Sequence, residues 1–234
     1  MPGRSMLNEL EDLDADVLRL AERVEDALAG ATRALLDRDP GAAAQVIAGD
    51  DVLDELDNSL DERCHRILLL YQPVACDIRR VTAVGRMTAD LERIGDLAVE
   101  IASQAATLAA WPRFTPPEGL TRMVAAAAEL VSRAGDAYRR RDADLARSLC
   151  WASEEVIGRG ADLTKRLIAA MRADPDAVEP GLCVAAVVQA LRRVAGHASN
   201  LAENAVYLAE GRNIRHHWER PAPEGAANAQ QARQ

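Results

Sequence analysis

Aromatic side chains are nearly absent: one Phe, three Trp and three Tyr in 234 residues, 3% of the chain. Sheets lean on aromatic and β-branched residues, so this scarcity, beside 49% hydrophobic residues rich in Ala and Leu, excludes a β-sandwich. It favours helices packed through small and aliphatic side chains. Long apolar runs are missing too, since no stretch approaches the ~18 uninterrupted apolar residues of a membrane span. Cysteine is sparse and scattered. Cys64, Cys76, Cys150 and Cys183 form no C-x-x-C pair and have no His at zinc spacing, so they read as small apolar core residues in a reducing compartment. Basic charge is in deficit: a net charge of −9 excludes a nucleic-acid partner, which needs a concentrated basic surface. Met1 to Asp14 carries acids throughout and lacks an apolar core segment, so no signal peptide is expected. No G-x-G-x-x-G, P-loop, H-E-x-x-H or G-x-S-x-G motif occurs. The expectation is a cytoplasmic, all-α protein that is not an enzyme.

What is present is helical periodicity. Leu13, Val17, Leu20, Val24, Leu28 and Leu35 recur at intervals of three, four or seven, which predicts one long amphipathic helix from about Leu7 to Arg38. Asp39-Pro40 ends it and opens the next, with Asp39 as cap and Pro40 in the first turn. That second helix is predicted to run unbroken to Tyr71 on a stripe of Leu53, Leu56, Leu60, Cys64, Ile67 and Tyr71. A third begins at Pro73-Val74 and ends near Leu108, its apolar face including Val74, Ile78, Val81, Leu91, Ile94 and Ile101. Trp111 to Glu118, with three prolines, separates the halves, and Thr115 to Glu118 has the spacing of a capping box. The second half repeats the plan, with helices over Gly119–Arg141, Asp142–Ala173 and from near Gly181 to Glu210, and with Pro175 at the hairpin position of Pro73. Asp50-Asp51-Val52-Leu53 aligns with Glu154-Glu155-Val156-Ile157 at an offset of 104, and Leu91 to Asp96 aligns with Leu191 to Gly196 at an offset of 100. Duplicated units of this length predict two tandem antiparallel three-helix bundles built from six long helices, one over 1–112 and one over 113–217. The tail, 218–234, is expected to be disordered.

One stretch carries candidate chemistry. Glu92 and Asp96, within Asp90-Leu91-Glu92-Arg93-Ile94-Gly95-Asp96, stand four apart and share a helix face, as do Asp50 and Asp54 upstream. Pro73 is the midpoint of both 54 and 92 and of 50 and 96, so a hairpin there brings Asp54 to Glu92 and Asp50 to Asp96. Four facing carboxylates repel unless a proton, an Arg or Lys, or a cation neutralises them. Oxygen donors suit iron, manganese or magnesium. No Glu-x-x-His motif of the di-iron bundles is present, and His65, His197, His216 and His217 lie away from the patch by this register. Glu92 and Asp96 point away from Ile94 and Ala98, so the patch is a surface groove, open also to the reading of an ordinary solvated face with Arg93 and Arg86 as counter-charges. At the offsets above, the second half offers Glu154, Gly158, Arg192 and Gly196 instead, so no metal cluster is expected there. An ion pair from Glu154 to Arg192 or Arg193 is expected in its place.

Three segments carry a family resemblance. Gln72-Pro73-Val74-Ala75-Cys76-Asp77-Ile78-Arg79-Arg80 is close to Q-P-x-A-x-D-L-R, Ala89 to Asp96 contains E-R-I-G-D, and Gly211-Arg212-Asn213-Ile214-Arg215-His216 matches G-x-x-[IV]-R-H. In this order, on duplicated three-helix units, the chain resembles the PhoU family of bacterial phosphate-signalling proteins over roughly residues 7 to 217. The resemblance implies a non-enzymatic regulator of two side-by-side three-helix bundles that forms a homodimer. It implies action with the phosphate transporter ATPase and a membrane sensor histidine kinase, reaching the membrane only through them, to restrain phosphate uptake and the starvation response. Some members bind iron or other metals through paired E/D-x-x-x-D motifs. That role carries over to Asp50, Asp54, Glu92 and Asp96 and gives one metal site (iron, or Mn, Mg or Zn) in the first repeat only. The alternative is a metal-storage protein or metal-dependent enzyme using the same four residues.

Overall fold

The structure, a computed structural model, describes residues 5–111 and 114–214. Seven α-helices follow one another: α1 Met6–Asp37, α2 Pro40–Ala48, α3 Asp50–Tyr71, α4 Cys76–Leu108, α5 Leu120–Arg140, α6 Ala143–Ala173 and α7 Val178–Glu210. No strand occurs among the described residues, and none of their helices is long and apolar enough to cross a membrane. The expected disordered tail and the His216-His217 pair lie outside the described residues.

The first half packs α1 against α4, with α2 and α3 laid end to end along both. In the second half, α7 packs against both α5 and α6. The halves join along α4–α7 and α1–α5. The core is one continuous aliphatic cluster running through both halves, from Leu13, Leu20 and Leu28 of α1 to Val187, Leu191 and Leu201 of α7. Every position of the α1 stripe read from periodicity is buried. Cys64 and Cys150 are buried thiols whose pKa is pushed up to about 11 by burial, which makes them inert core residues. Cys76, by contrast, is exposed.

Six helices were expected and the second is broken. Burial shows why. Val17, Leu20 and Val24 of α1 match Leu120, Met123 and Ala127 of α5, 103 residues on, and buried Ala43 likewise matches Ala146. From Leu53 onward the offset is 100: Leu53 with Ser153, Leu60 with Gly160, Ile67 with Leu167, and Leu91, Ile94 and Ile101 with Leu191, Val194 and Leu201. The first half therefore holds three residues more than the second between Ala43 and Leu53. Three residues fall short of a 3.6-residue turn, so a continuous helix would rotate its apolar stripe off the core. The surplus is absorbed at Gly49, where α2 stops and α3 restarts. The offset of 104 expected for Asp50 is corrected to 100, and the second-half counterparts of Asp50 and Asp54 become Cys150 and Glu154 rather than Glu154 and Gly158.

Helix ends depart from the sequence expectation in two places. Asp39 caps α2 through Gly41 N–H and Ala42 N–H with Pro40 in the first turn, as its sequence dictates. The third helix, by contrast, starts at Cys76, because Gln72 and Ala75 adopt positive φ (47° and 51°) and the chain turns before helix begins. Pro73 is buried in that turn, while Val74 and Ile78 face solvent instead of the core. The Thr115–Glu118 capping box does not form either: α5 begins at Leu120 behind Gly119, whose φ of 106° only glycine adopts easily. Arg38 pins the connecting segment by donating to the carbonyls of Trp111 and Phe114.

Candidate functional site

α3 and α4 meet closely at Leu53 and Gly95, where a Cβ on Gly95 would stand 3.0 Å from Leu53 Cδ1. This contact sets the hairpin register and puts the four candidate carboxylates on one surface. Asp50 lies in the first turn of α3, where an acid also suits the helix dipole. Burial pushes its carboxyl above the ordinary range, helped by repulsion from Asp54, Asp96 and Asp51. Burial also raises Glu92, with further upward pressure from Asp96, Asp57 and Asp54 and an opposing pull from Arg93. Asp57 is raised in the same way by burial and by Asp61 and Asp54. The charges of the two helices therefore act on one another across the hairpin.

The counter-charge here is a guanidinium. Arg93 Nε lies 3.4 Å from Glu92 and its Nη1 donates to Asp96 at 3.1 Å. As arranged, no group of three His, Cys, Asp or Glu residues among those described stands ready to hold a metal ion. Arg86, the other expected counter-charge, is turned elsewhere: it lies over the Tyr207 ring at 5.2 Å, with Arg79 at 5.9 Å from the same ring.

In the second half the expected Glu154 pair does not form. Arg192 crosses Gly160, where a Cβ would come within 2.5 Å of its side chain, and donates to Gln189 one turn back. Arg193 reaches Glu100 on α4. Glycine at 160 is what lets the arginine lie flat there.

Periodicity missed Asp90. It faces the α4–α7 seam, only 8% exposed, and its Oδ1 accepts from both His197 Nδ1 and Asn200 Nδ2 at 2.9 Å. The signal was available: an acid on the apolar side of a helix requires a donor from a neighbour. A second polar node ties the layers, where Asp14 on α1 accepts from Arg80 Nε at 2.8 Å and from the Tyr138 hydroxyl at 2.6 Å. Asp90 also fixes the direction of the seam. Asp90 meets residues 197 and 200 while Arg79 meets Tyr207 and Gly211, so α4 and α7 run antiparallel. As a result the first and last segments of the resemblance touch: Arg79 packs on Gly211, at the end of α7.

A family model described as the PhoU domain matches this chain twice, over residues 17–105 and 120–205. The chain belongs to the PhoU family. The two matches begin 103 residues apart and end 100 apart, the same pair of offsets that burial gives. Among PhoU relatives, the "Phosphate-specific transport system accessory protein PhoU homolog" of Pseudomonas aeruginosa is 34% identical over 89% of this chain and 86% of its own length. The homolog of Aquifex aeolicus is 32% identical over 90% and 96%. The crystal structure of PhoU from Pseudomonas aeruginosa superposes with a TM-score of 0.85 at 33% identity, covering 89% of this chain and all of that one. That of the phosphate transport system regulatory protein PhoU from Streptococcus pneumoniae gives 0.84 at 25% identity, covering 90% and 99%.

Proposed function

We propose that this PhoU protein is a cytoplasmic, non-enzymatic adaptor that restrains high-affinity phosphate transport and phosphate-starvation signalling. Its partners in this reading are a phosphate transporter ATPase, a membrane sensor histidine kinase, or both, met through helical surfaces, so that it reaches the membrane only through them. It works as a homodimer of chains built from two repeats, 1–112 and 113–217. The observation that carries the reading is the near full-length match to relatives named as accessory proteins of a phosphate transport system. The test is deletion in the source organism. The expected outcome is raised phosphate uptake and expression of phosphate-responsive genes in phosphate-rich medium; unchanged uptake and expression would sink the proposal.

A second reading adds one metal site at Asp50, Asp54, Glu92 and Asp96. It is favoured by the convergence of the four carboxylates: besides the burial that raises both groups, Asp54 and Asp96 repel Asp50, and Asp96 and Asp54 repel Glu92, and a cation relieves that repulsion. The donor chemistry suits a hard or borderline cation such as iron or manganese, but Arg93 must first release Glu92 and Asp96. Elemental analysis of protein purified without chelators tests it. Metal in the wild type that is lost from the Asp54→Ala, Glu92→Ala double variant supports the site, and equal content in both removes it.

A further inference from the structure

Half-buried arginines in this chain find oxygen acceptors, with two exceptions. Arg38 donates to main-chain carbonyls, Arg63, Arg80 and Arg147 donate to carboxylates, and Arg192 donates to the Gln189 amide. Arg79 and Arg86 are also half-buried, yet neither donates a hydrogen bond nor forms an ion pair among the described residues. Both approach the ring of Tyr207 instead. A cation–π contact offsets part of the desolvation of a guanidinium but leaves its N–H groups unused. The nearby acids are committed elsewhere. Asp90, one turn past Arg86, accepts from His197 and Asn200, Glu210 pairs with Arg147, and the charge of Glu203 acts on Cys150 of α6. Asp77, two residues before Arg79, projects from the far side of the helix.

Asn204 adds a buried donor. It is 3% exposed, and its Nδ2 has no hydrogen-bond partner. His197, Asn200, Asn204, Tyr207 and Gly211 follow one another at intervals of three or four, so they form the stripe of α7 that faces α4. On that stripe Asn204 stands between the Asp90 lock and Tyr207. The stripe ends at Gly211, where a Cβ would come within 2.6 Å of the Arg79 guanidinium, so glycine there keeps room for the charge. The negative end of the α7 dipole answers Arg79 with about half a charge. It does not reach Arg86, which lies two turns, about 10 Å, further along α4. Two guanidiniums and an amide are thus left with no carboxylate set against them among the described residues. We infer that this corner of the α4–α7 seam binds a phosphate-type oxyanion, either inorganic phosphate or the phosphoryl group of a larger molecule. A tetrahedral oxyanion presents acceptors in several directions at once, and a guanidinium meets it through paired N–H groups. The site shares no residue with the carboxylate surface and does not depend on the adaptor reading.

Isothermal titration calorimetry of the full chain in chloride buffer with chelator tests this, with inorganic phosphate in one arm and ribose 5-phosphate in the other. The expected result is one anion bound per chain. Binding by the Arg79→Gln, Arg86→Gln variant is expected to be at least about tenfold weaker, and binding by the control Arg159→Gln, at an exposed arginine elsewhere, to be unchanged. Asn204→Asp sets a carboxylate against the two guanidiniums. It is expected to abolish anion binding while raising Tm in phosphate-free buffer, which separates loss of the site from loss of the fold. Inorganic phosphate bound here identifies the free ion as sufficient, and the ester bound alone identifies a phosphoryl group on a larger molecule. Failure of both anions to bind the wild type overturns the site. Equal binding by the wild type and the double variant overturns it too, as does a lowered Tm with intact binding in Asn204→Asp.

Discussion

Ala75 and Gly211 both adopt positive φ, but only one of them is glycine. At Ala75, with φ 51° and ψ −114°, the Cβ strains the backbone, whereas Gly211 at φ 73° caps α7 without such cost. Ala75→Gly is therefore expected to stabilise the protein by about 1 kcal/mol, seen as a Tm increase of roughly 2–4 °C in calorimetry. Gly211→Ala is expected to lower stability by about 1–2 kcal/mol, because the new Cβ meets the Arg79 guanidinium at 2.6 Å as well as the backbone strain. Equal melts for Ala75→Gly and wild type would show that the turn relaxes around its alanine.

At the scale of helices, the seam between α4 and α7 is held by apolar packing with a buried polar lock at Asp90. Asp90→Ala leaves His197 and Asn200 facing a buried gap, and a loss of about 1–3 kcal/mol is expected in urea denaturation. Asp96→Ala, on the exposed side of the same helix, should cost no more than about 0.5 kcal/mol. A comparable loss for both would mean that Asp90 is not a lock. This contrast marks what the sequence could and could not reveal. The stripes of α1 and α4 from Val81 onward were legible because burial repeats every three or four residues. The break at Gly49 was not, because α2 and α3 each keep a helical pattern and only comparison of the two halves' burial exposes the three-residue surplus. The hairpin register was legible from the symmetry around Pro73, so the carboxylate surface was found. The orientations of Arg86, Arg192 and His197 were not, since a long or polar side chain on a helix flank takes its direction from the neighbouring helix.

At the scale of the whole molecule, the carboxylates of the α3–α4 face shape the response to pH. Asp50, Asp57 and Glu92 have folded pKa values raised above the unfolded range of about 4. The folded chain thus holds protons that the unfolded chain has released. That contribution is fully present on the acid side and is lost as pH rises through the raised values, so this face opposes folding at neutral pH. The Asp50→Asn, Glu92→Gln variant is expected to flatten the fall in stability above pH 4 and to raise Tm at pH 7. The rise is on the order of 1–2 °C, since the groups are partly solvated. A lowered Tm would mean that their pairing with Arg93 outweighs their repulsion.

The scarcity of aromatics has an optical consequence. The indoles among the described residues are Trp111, on the segment pinned by Arg38, and Trp151, inside α6. No tryptophan precedes residue 111, so the helices α1 to α4, with their carboxylate surface, contribute no indole emission of their own. Among the described residues, indole fluorescence reports on the connecting segment and α6, not on the α3–α4 face where a cation would settle. A single tryptophan placed at exposed Val52 or Leu70 would give α3 its own reporter.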